Sequence, residues 1–328
     1  MNRNGRAIAG ALLILLVIVP AWLPARSLAL EPALFKDAVR TGTISSPDIT
    51  ETSGIFASRT NKSVLWVVND SGNPAALYAL TYRGKHLGTF FLKEKDGRAV
   101  KNTDWEDLSG FEYRGEHFLV IADVGDNRAR RRFCSLLIVR EPSLGQDAAA
   151  ADGADGTLAV RWQMRFQYEN GPRDCESVAV DIRSKKILLL SKRTRPPVLY
   201  ELPLALSTRD TLYTARPVAE ITTIPPPTAL DLKKKYGRYR SRPTSMDLSA
   251  DGRSLVVLTY KDAYLFRRDT GLTWQTVLAD PPRVIRLPHP DTGELVQREA
   301  VCFDPGTGRL IVTSEKPSAP IYTLSPAD

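Results

Sequence analysis

Cysteine and histidine each occur only three times in this 328-residue chain, and the patterns that turn them into chemistry are missing. Cys134, Cys175 and Cys302 form no CxxC pair, and an odd count is not a disulfide framework. One bridge plus a free thiol suits an oxidising compartment, with no pair singled out. His86, His117 and His289 lie apart from the repeated features described below and read as surface residues. Zinc chemistry and histidine acid–base chemistry therefore find little support. A G-x-S-x-G elbow, a phosphate-binding P-loop and an H-E-x-x-H helix are also absent. Beyond the N-terminus no apolar run is long enough to span a bilayer.

The N-terminus itself reads as a secretory signal. Arg3 and Arg6 precede an apolar stretch from Ala7 to Val19, and Ser27-Leu28-Ala29 offers the small residues of a cleavage site. An uncleaved anchor is the alternative, although Pro20 and Pro24 interrupt a long membrane helix. Residues 1–29 are thus read as a signal peptide and 30–328 as one domain, periplasmic or secreted. Losing Arg3, Arg6 and Arg26 lowers the formal charge from +8 to +5. That modest excess suits an anionic ligand and does not point to nucleic acid.

What is abundant is a repeat. Four segments pair an acidic or polar anchor with an apolar strand starting 11 residues later: Asp107 with Phe118, Glu176 with Ile187, Thr244 with Leu255, and Glu299 with Leu310. A fifth copy runs from Glu51 to Leu65 with a turn three residues longer. Arg114-Gly115, Asp251-Gly252 and Gly306-Thr307-Gly308 supply turn residues tolerant of positive φ. Two further strand-like runs follow in each unit except the last, and Ala38 to Ile44 can complete that one. The expectation is an all-β fold, a β-propeller of four-stranded blades closed by its N-terminal strand. Five blades are visible; a sixth has room in 198–243 but no anchor there. Residues 143–157 read as a flexible insertion, and no helical period is convincing after the signal.

First strands of propeller blades line the central channel, so the anchors become a ring of Glu51, Asp107, Glu176, Thr244 and Glu299. Four carboxylates on one axis repel unless a cation joins them, which makes Ca²⁺ the expected cofactor. A polar plug neutralised by Arg242 and Arg298 is the alternative. Asp70, Asp123, Asp126, Asn127, Arg128, Lys192 and Arg193 fall in loops expected around the same mouth, together with the Lys233 to Arg242 loop and its Tyr236 and Tyr239. Arg and Lys beside a metal suit an anionic, for example phosphorylated, substrate. Any catalysis would then rest on Glu106, Asp107 and Glu176, with Glu106 as general base.

Four blocks, Asn69-Asp-Ser-Gly-Asn73, Asp104-Trp-Glu-Asp-Leu108, Ala122-Asp-Val-Gly-Asp-Asn127 and Asp174-Cys-Glu-Ser177, resemble those of a group of exported bacterial proteins, largely uncharacterised. The resemblance continues through Asp247 to Gly252, Thr259-Tyr260 and Glu299-Ala300, with Ser109 and Thr244-Ser-Met as mild departures. More remotely the chain is similar to propellers grouped as phytase-like esterases and SdiA-regulated proteins. The five-blade count is also similar to that of calcium-activated nucleotidases, without matching motifs. The resemblance implies a calcium site and, as one outcome, phosphoester or ester hydrolysis. Two functions follow: a calcium-binding propeller acting on an anionic small molecule, or a non-catalytic platform for an exported protein or glycan. A monomer is expected in either case.

Overall fold

The computed structural model describes Met1 and residues 34–145, 155–207, 211–293 and 295–327. Apart from Met1, the signal sequence read at 1–29 lies outside the described residues, as does the centre of the insertion at 143–157. The chain is mostly β-strand. No helix among the described residues is long and apolar enough to cross a membrane.

Among the described residues twenty strands form five antiparallel four-stranded units. The first holds β2 (Thr52–Ala57), β3 (Val64–Asn69), β4 (Ala76–Thr81) and β5 (His86–Lys93). The second holds β6 (Trp105–Tyr113), β7 (Glu116–Asp123), β8 (Cys134–Arg140) and β9 (Gly156–Tyr168). The third runs β10 (Cys175–Asp181), β11 (Lys186–Ser191), β12 (Val198–Pro203), β13 (Leu212–Glu220). The fourth runs β14 (Pro243–Leu248), β15 (Ser254–Thr259), β16 (Ala263–Arg267), β17 (Arg283–Ile285). The last contains β18 (Arg298–Phe303), β19 (Leu310–Ser314) and β20 (Pro320–Leu324), and its fourth strand is β1 (Val39–Thr43), paired antiparallel with β20. The long β9 also pairs in parallel with β5 at its start and with β13 at its end.

The apolar residues place these units relative to one another. Five buried clusters each join two units: Trp66 and Leu77 with Leu108 and Ile121, Phe111 and Val120 with Val178 and Leu189, and Leu188 and Leu190 with Val257 and Phe266. Val256 and Leu265 meet Val312 and Tyr322, and Leu65 and Tyr78 meet Cys302 and Ile311. The last cluster returns the fifth unit to the first, and β18 packs against β2 as β2 packs against β6. With both faces covered, second strands such as Ile187-Leu-Leu-Leu190 are continuously apolar rather than alternating. Each fully buried Leu, Val or Phe contributes roughly 1.5–3 kcal/mol.

Tight hairpins serve the inner strands. Arg114 and Gly115 join β6 to β7 with φ of 54° and 78°, the left-handed pair that matches strand twist. Among the described residues 198–243 holds no further four-stranded unit. It carries β12, β13, a short helix α1 (Ala229–Leu232) and a 3₁₀ turn at Gly237–Tyr239. A second helix, α2 (Trp274–Leu278), is too short for a helical period to reveal in sequence. Trp274 docks in the core and donates from Nε1 to Asp181 at 2.9 Å. Cys134, Cys175 and Cys302 are all buried free thiols.

Candidate functional site

Antiparallel pairing sets the start of each first strand beside the end of each second strand, so the loops flanking both converge at one end of every unit. At that end the same irregularity occurs five times. Thr52 pairs with Asn69 and Gly54 with Val68, which leaves Ser53 as an extra residue in a bulge. Equivalent slips leave Glu106, Glu176, Thr244 and Glu299 unpaired. The ring is therefore Ser53, Glu106, Glu176, Thr244 and Glu299, all buried.

Two anchors read from sequence are displaced from it. Asp107 lies one residue further along, fully buried, and its carboxylate accepts from the backbone N–H of Leu108 (2.9 Å), Val178 (2.8 Å) and Met246 (3.4 Å) and from Ser245 Oγ (3.1 Å). It thus ties β6 to β10 and β14 as a structural plug, flanked by small Gly54, Ser177 and Ala300 at the equivalent positions. The metal-ligand and catalytic roles expected of Asp107 do not fit those bonds. Glu51 is exposed at the rim, accepting from Asn73 Nδ2 at 2.7 Å. The hairpin β6–β7 is two residues longer than β10–β11, so a constant spacing of 11 lands on Asp107 instead of Glu106.

The ring carries its own cation. Lys192, at the end of the third unit's second strand, is buried and donates from Nζ to Glu176 Oε2 at 2.6 Å, with Glu299 Oε2 at 3.9 Å. Against the effect of burial, these two glutamates hold its ammonium well above the ordinary lysine range. Tyr260 lies beneath Lys192 Nζ, 5.2 Å from the ring centroid, and donates its hydroxyl to Glu299 Oε1 at 2.7 Å. Burial, partly offset by Lys192, pushes Glu299 up to about 8. Burial, with the neighbouring Glu176 and Asp70, pushes Glu106 well above the ordinary carboxylate range.

Two carboxylate groups share Glu106. Asp70, Asp104 and Glu106 place an oxygen each within 4.8 Å of one another, and so do Glu106, Asp174 and Glu176. Asp104 stands two residues before Glu106 and Asp174 two before Glu176, a repeated D-x-E that sequence reading quoted in motifs but did not single out. Burial raises Asp70 to about 6 and also raises Asp104. Gly125 closes over this group: a Cβ there would collide with Glu106 Oε1 and Asp104 Oδ2. The hydroxyls of Ser53 and Thr244, both at bulge positions, are buried without a hydrogen-bond partner. An all-oxygen donor set, crowded carboxylates with raised proton affinity and unused hydroxyls fit a hard cation.

The remaining acids at this end are occupied. Asp123 accepts from Arg131 Nη2 at 2.6 Å, and Asp126 accepts from the Arg131 backbone N–H at 2.7 Å. Arg193 bonds Asp174 and Asn127. Arg128 is exposed. Arg298, expected to neutralise the ring, is fully buried and points its donors at the backbone carbonyls of Leu295 (3.2 Å), Pro288 (2.6 Å) and Lys261, so it clamps loops instead of facing the carboxylates or a ligand. Burial and Arg240 bring its guanidinium down to about 10.

Beside Lys192 and Tyr260 opens a cleft of about 690 Å³. Its walls present Lys192, Arg193, Lys234, Lys235, Arg240, Arg242 and Lys316 against a single acid, Asp291, with Tyr236, Tyr239 and Tyr260 between them. Arg242 lies over the Tyr239 ring at 4.4 Å, and burial together with Arg193 and Arg195 lowers its proton affinity. The Lys233 to Arg242 loop and Lys192-Arg193, expected near one mouth, thus meet in one cleft. Tyr260 and Lys316 were not foreseen, because only the tertiary fold brings the loop after β15 and the loop after β19 to the same wall.

No family model and no curated protein matches the chain. Among solved structures it is similar to a glutaminyl cyclase of Myxococcus xanthus, with a TM-score of 0.45 and 10% identity over 89% of this chain and 97% of that one.

Proposed function

We propose that the five units form a five-bladed β-propeller whose open end binds an anionic substrate and hydrolyses its phosphoester or ester bond. One observation carries this reading: the buried carboxylate ring and the basic cleft share Lys192 and Tyr260. Asp70, Asp104 and Glu106 are the residues that would hold a divalent cation, and their oxygen donors favour Ca²⁺. Such a cation supplies Lewis-acid stabilisation of negative charge on the reacting group. The chain's own residues then have separate tasks. Arg193, Arg242 and Lys192 hold the anion, and the tyrosines wall the cleft. Glu299, protonated below about pH 8, has a proton for a leaving oxygen. We place this protein outside the cytoplasm on its N-terminal signal sequence.

A second reading has its own support. Lys192 already pairs with Glu176 at 2.6 Å, and Glu299 is raised to about 8, so the ring balances much of its charge with no metal. On that reading the propeller is a binding platform and the carboxylates are structural.

A screen of phosphomonoesters, nucleotides and aryl esters, with Ca²⁺ or with a chelator, separates the two. The hydrolase reading expects turnover that needs the cation and falls at least a hundredfold in Glu106→Gln and Glu299→Gln. Activity unchanged in both variants, or absent throughout while anions still bind, overturns it in favour of the platform.

A further inference from the structure

Leu230 and Leu232 are 73% and 60% exposed, more than any other leucine among the described residues, and Tyr236 is 64% exposed. Single exposed apolar residues are ordinary, but here three fall within seven positions and surround Lys233, Lys234 and Lys235, with Arg238 two residues beyond. The segment is also built to hold them out. Asp231, between the two leucines, is buried and caps the short helix by accepting from the Thr228 backbone N–H and hydroxyl, both at 2.8 Å. It accepts as well from Arg240 Nη1 (2.5 Å) and Lys261 Nζ (2.8 Å). These bonds, against the effect of burial, hold its carboxyl well below the ordinary range. Gly237 packs so closely on the Asp231 carbonyl that a Cβ would not fit. A segment tied down at Asp231 therefore displays its leucines instead of folding them away.

We propose that the 229–238 loop is a membrane-docking element, in which Leu230, Leu232 and Tyr236 enter the interface of an anionic lipid surface while the adjoining lysines and Arg238 pair with its headgroups. Charge complementarity selects the partner: the loop carries four cations among its exposed residues, one of which, Lys234, also pairs with Asp291 at 3.3 Å, and its one acid, Asp231, is buried and neutralised. Lys234, Lys235 and Tyr236 also line the basic cleft, so docking brings its mouth to the lipid surface. The proposal does not depend on catalysis, and its readout is binding.

The test is sedimentation of the mature chain, residues 30–328, which contains every described strand and all five buried clusters, with vesicles of phosphatidylcholine alone or with about 30% phosphatidylglycerol. The expected result is salt-sensitive binding to the anionic vesicles and not to the neutral ones. Leu230→Ser with Leu232→Ser, two changes at exposed positions, should reduce the bound fraction about tenfold while Arg242→Ala retains it. Binding that is absent, equal on neutral vesicles or unchanged in the double serine variant overturns the proposal. So does loss of binding in Arg242→Ala alone, which would mean capture of headgroups by the cleft. Self-association of the parent chain that the serine variant abolishes would assign the leucines to a second copy of this chain and overturn it too.

Discussion

Lys192 and Glu176 stand 2.6 Å apart, both buried, and each is the other's closest opposite charge. Removing one partner leaves the other as an uncompensated buried charge. Lys192→Met should therefore cost on the order of 3–5 kcal/mol, seen as a lower midpoint in urea. Lys192→Met with Glu176→Leu should recover much of the loss. A single variant as stable as the parent would show that the pair is not desolvated.

Stability without metal should fall as pH rises from about 4.5 toward 8. Below that window Glu299 is protonated both folded and unfolded, and the folded state keeps its full contribution. Within it the unfolded chain releases the proton while the folded site, with Glu299 near 8, retains it. Asp70 and Asp247, both raised by burial to about 6, add the same sign between about 3.8 and 6. Melting in a chelator should show a decline of roughly 5 °C or more across the window, reduced in Glu299→Gln. A flat profile contradicts the burial of these groups.

Glu106→Gln and Asp107→Asn, one residue apart, should behave in opposite ways. Glutamine removes a buried carboxyl whose charged form is disfavoured by burial and by Glu176 and Asp70, so the metal-free protein should keep its stability and lose the rise in melting temperature upon adding Ca²⁺. Asparagine at 107 turns an amide toward backbone N–H donors and should cost about 1–3 kcal/mol, with the Ca²⁺ response retained. Calorimetric titration and thermal melts of both variants decide this.

Gly125→Ala should act on the acidic group alone. The backbone at Gly125 is not in the left-handed region, so alanine is conformationally allowed there, and its methyl instead meets the carboxylates of Glu106 and Asp104. The expected outcome is at least tenfold weaker Ca²⁺ binding by calorimetry. Unchanged affinity would place the cation elsewhere.

Strand order, hairpin turns and the N-terminal strand that completes the last unit were legible in sequence, because continuous apolar strands and left-handed turn residues are local properties with a fixed repeat. Glu176, Thr244 and Glu299 were legible for the same reason: their three hairpins are of equal length. Ser53 was not, and Glu106 was singled out beside the ring rather than in it, since hairpins of different length shift the bulge and only pairing between strands shows where a residue is left over. The basic loop at 233–242 announced itself by composition. Its meeting with Lys192, Tyr260 and Lys316 depended on cyclic packing of the five units. Arg298 marks the limit most plainly: beside Glu299 in sequence, it turns away to three backbone carbonyls, because strand neighbours point to opposite sides. The sequence alone determined which residue types recur and how often; the tertiary structure decided which of them face one another, because burial and charge compensation act through space and not along the chain.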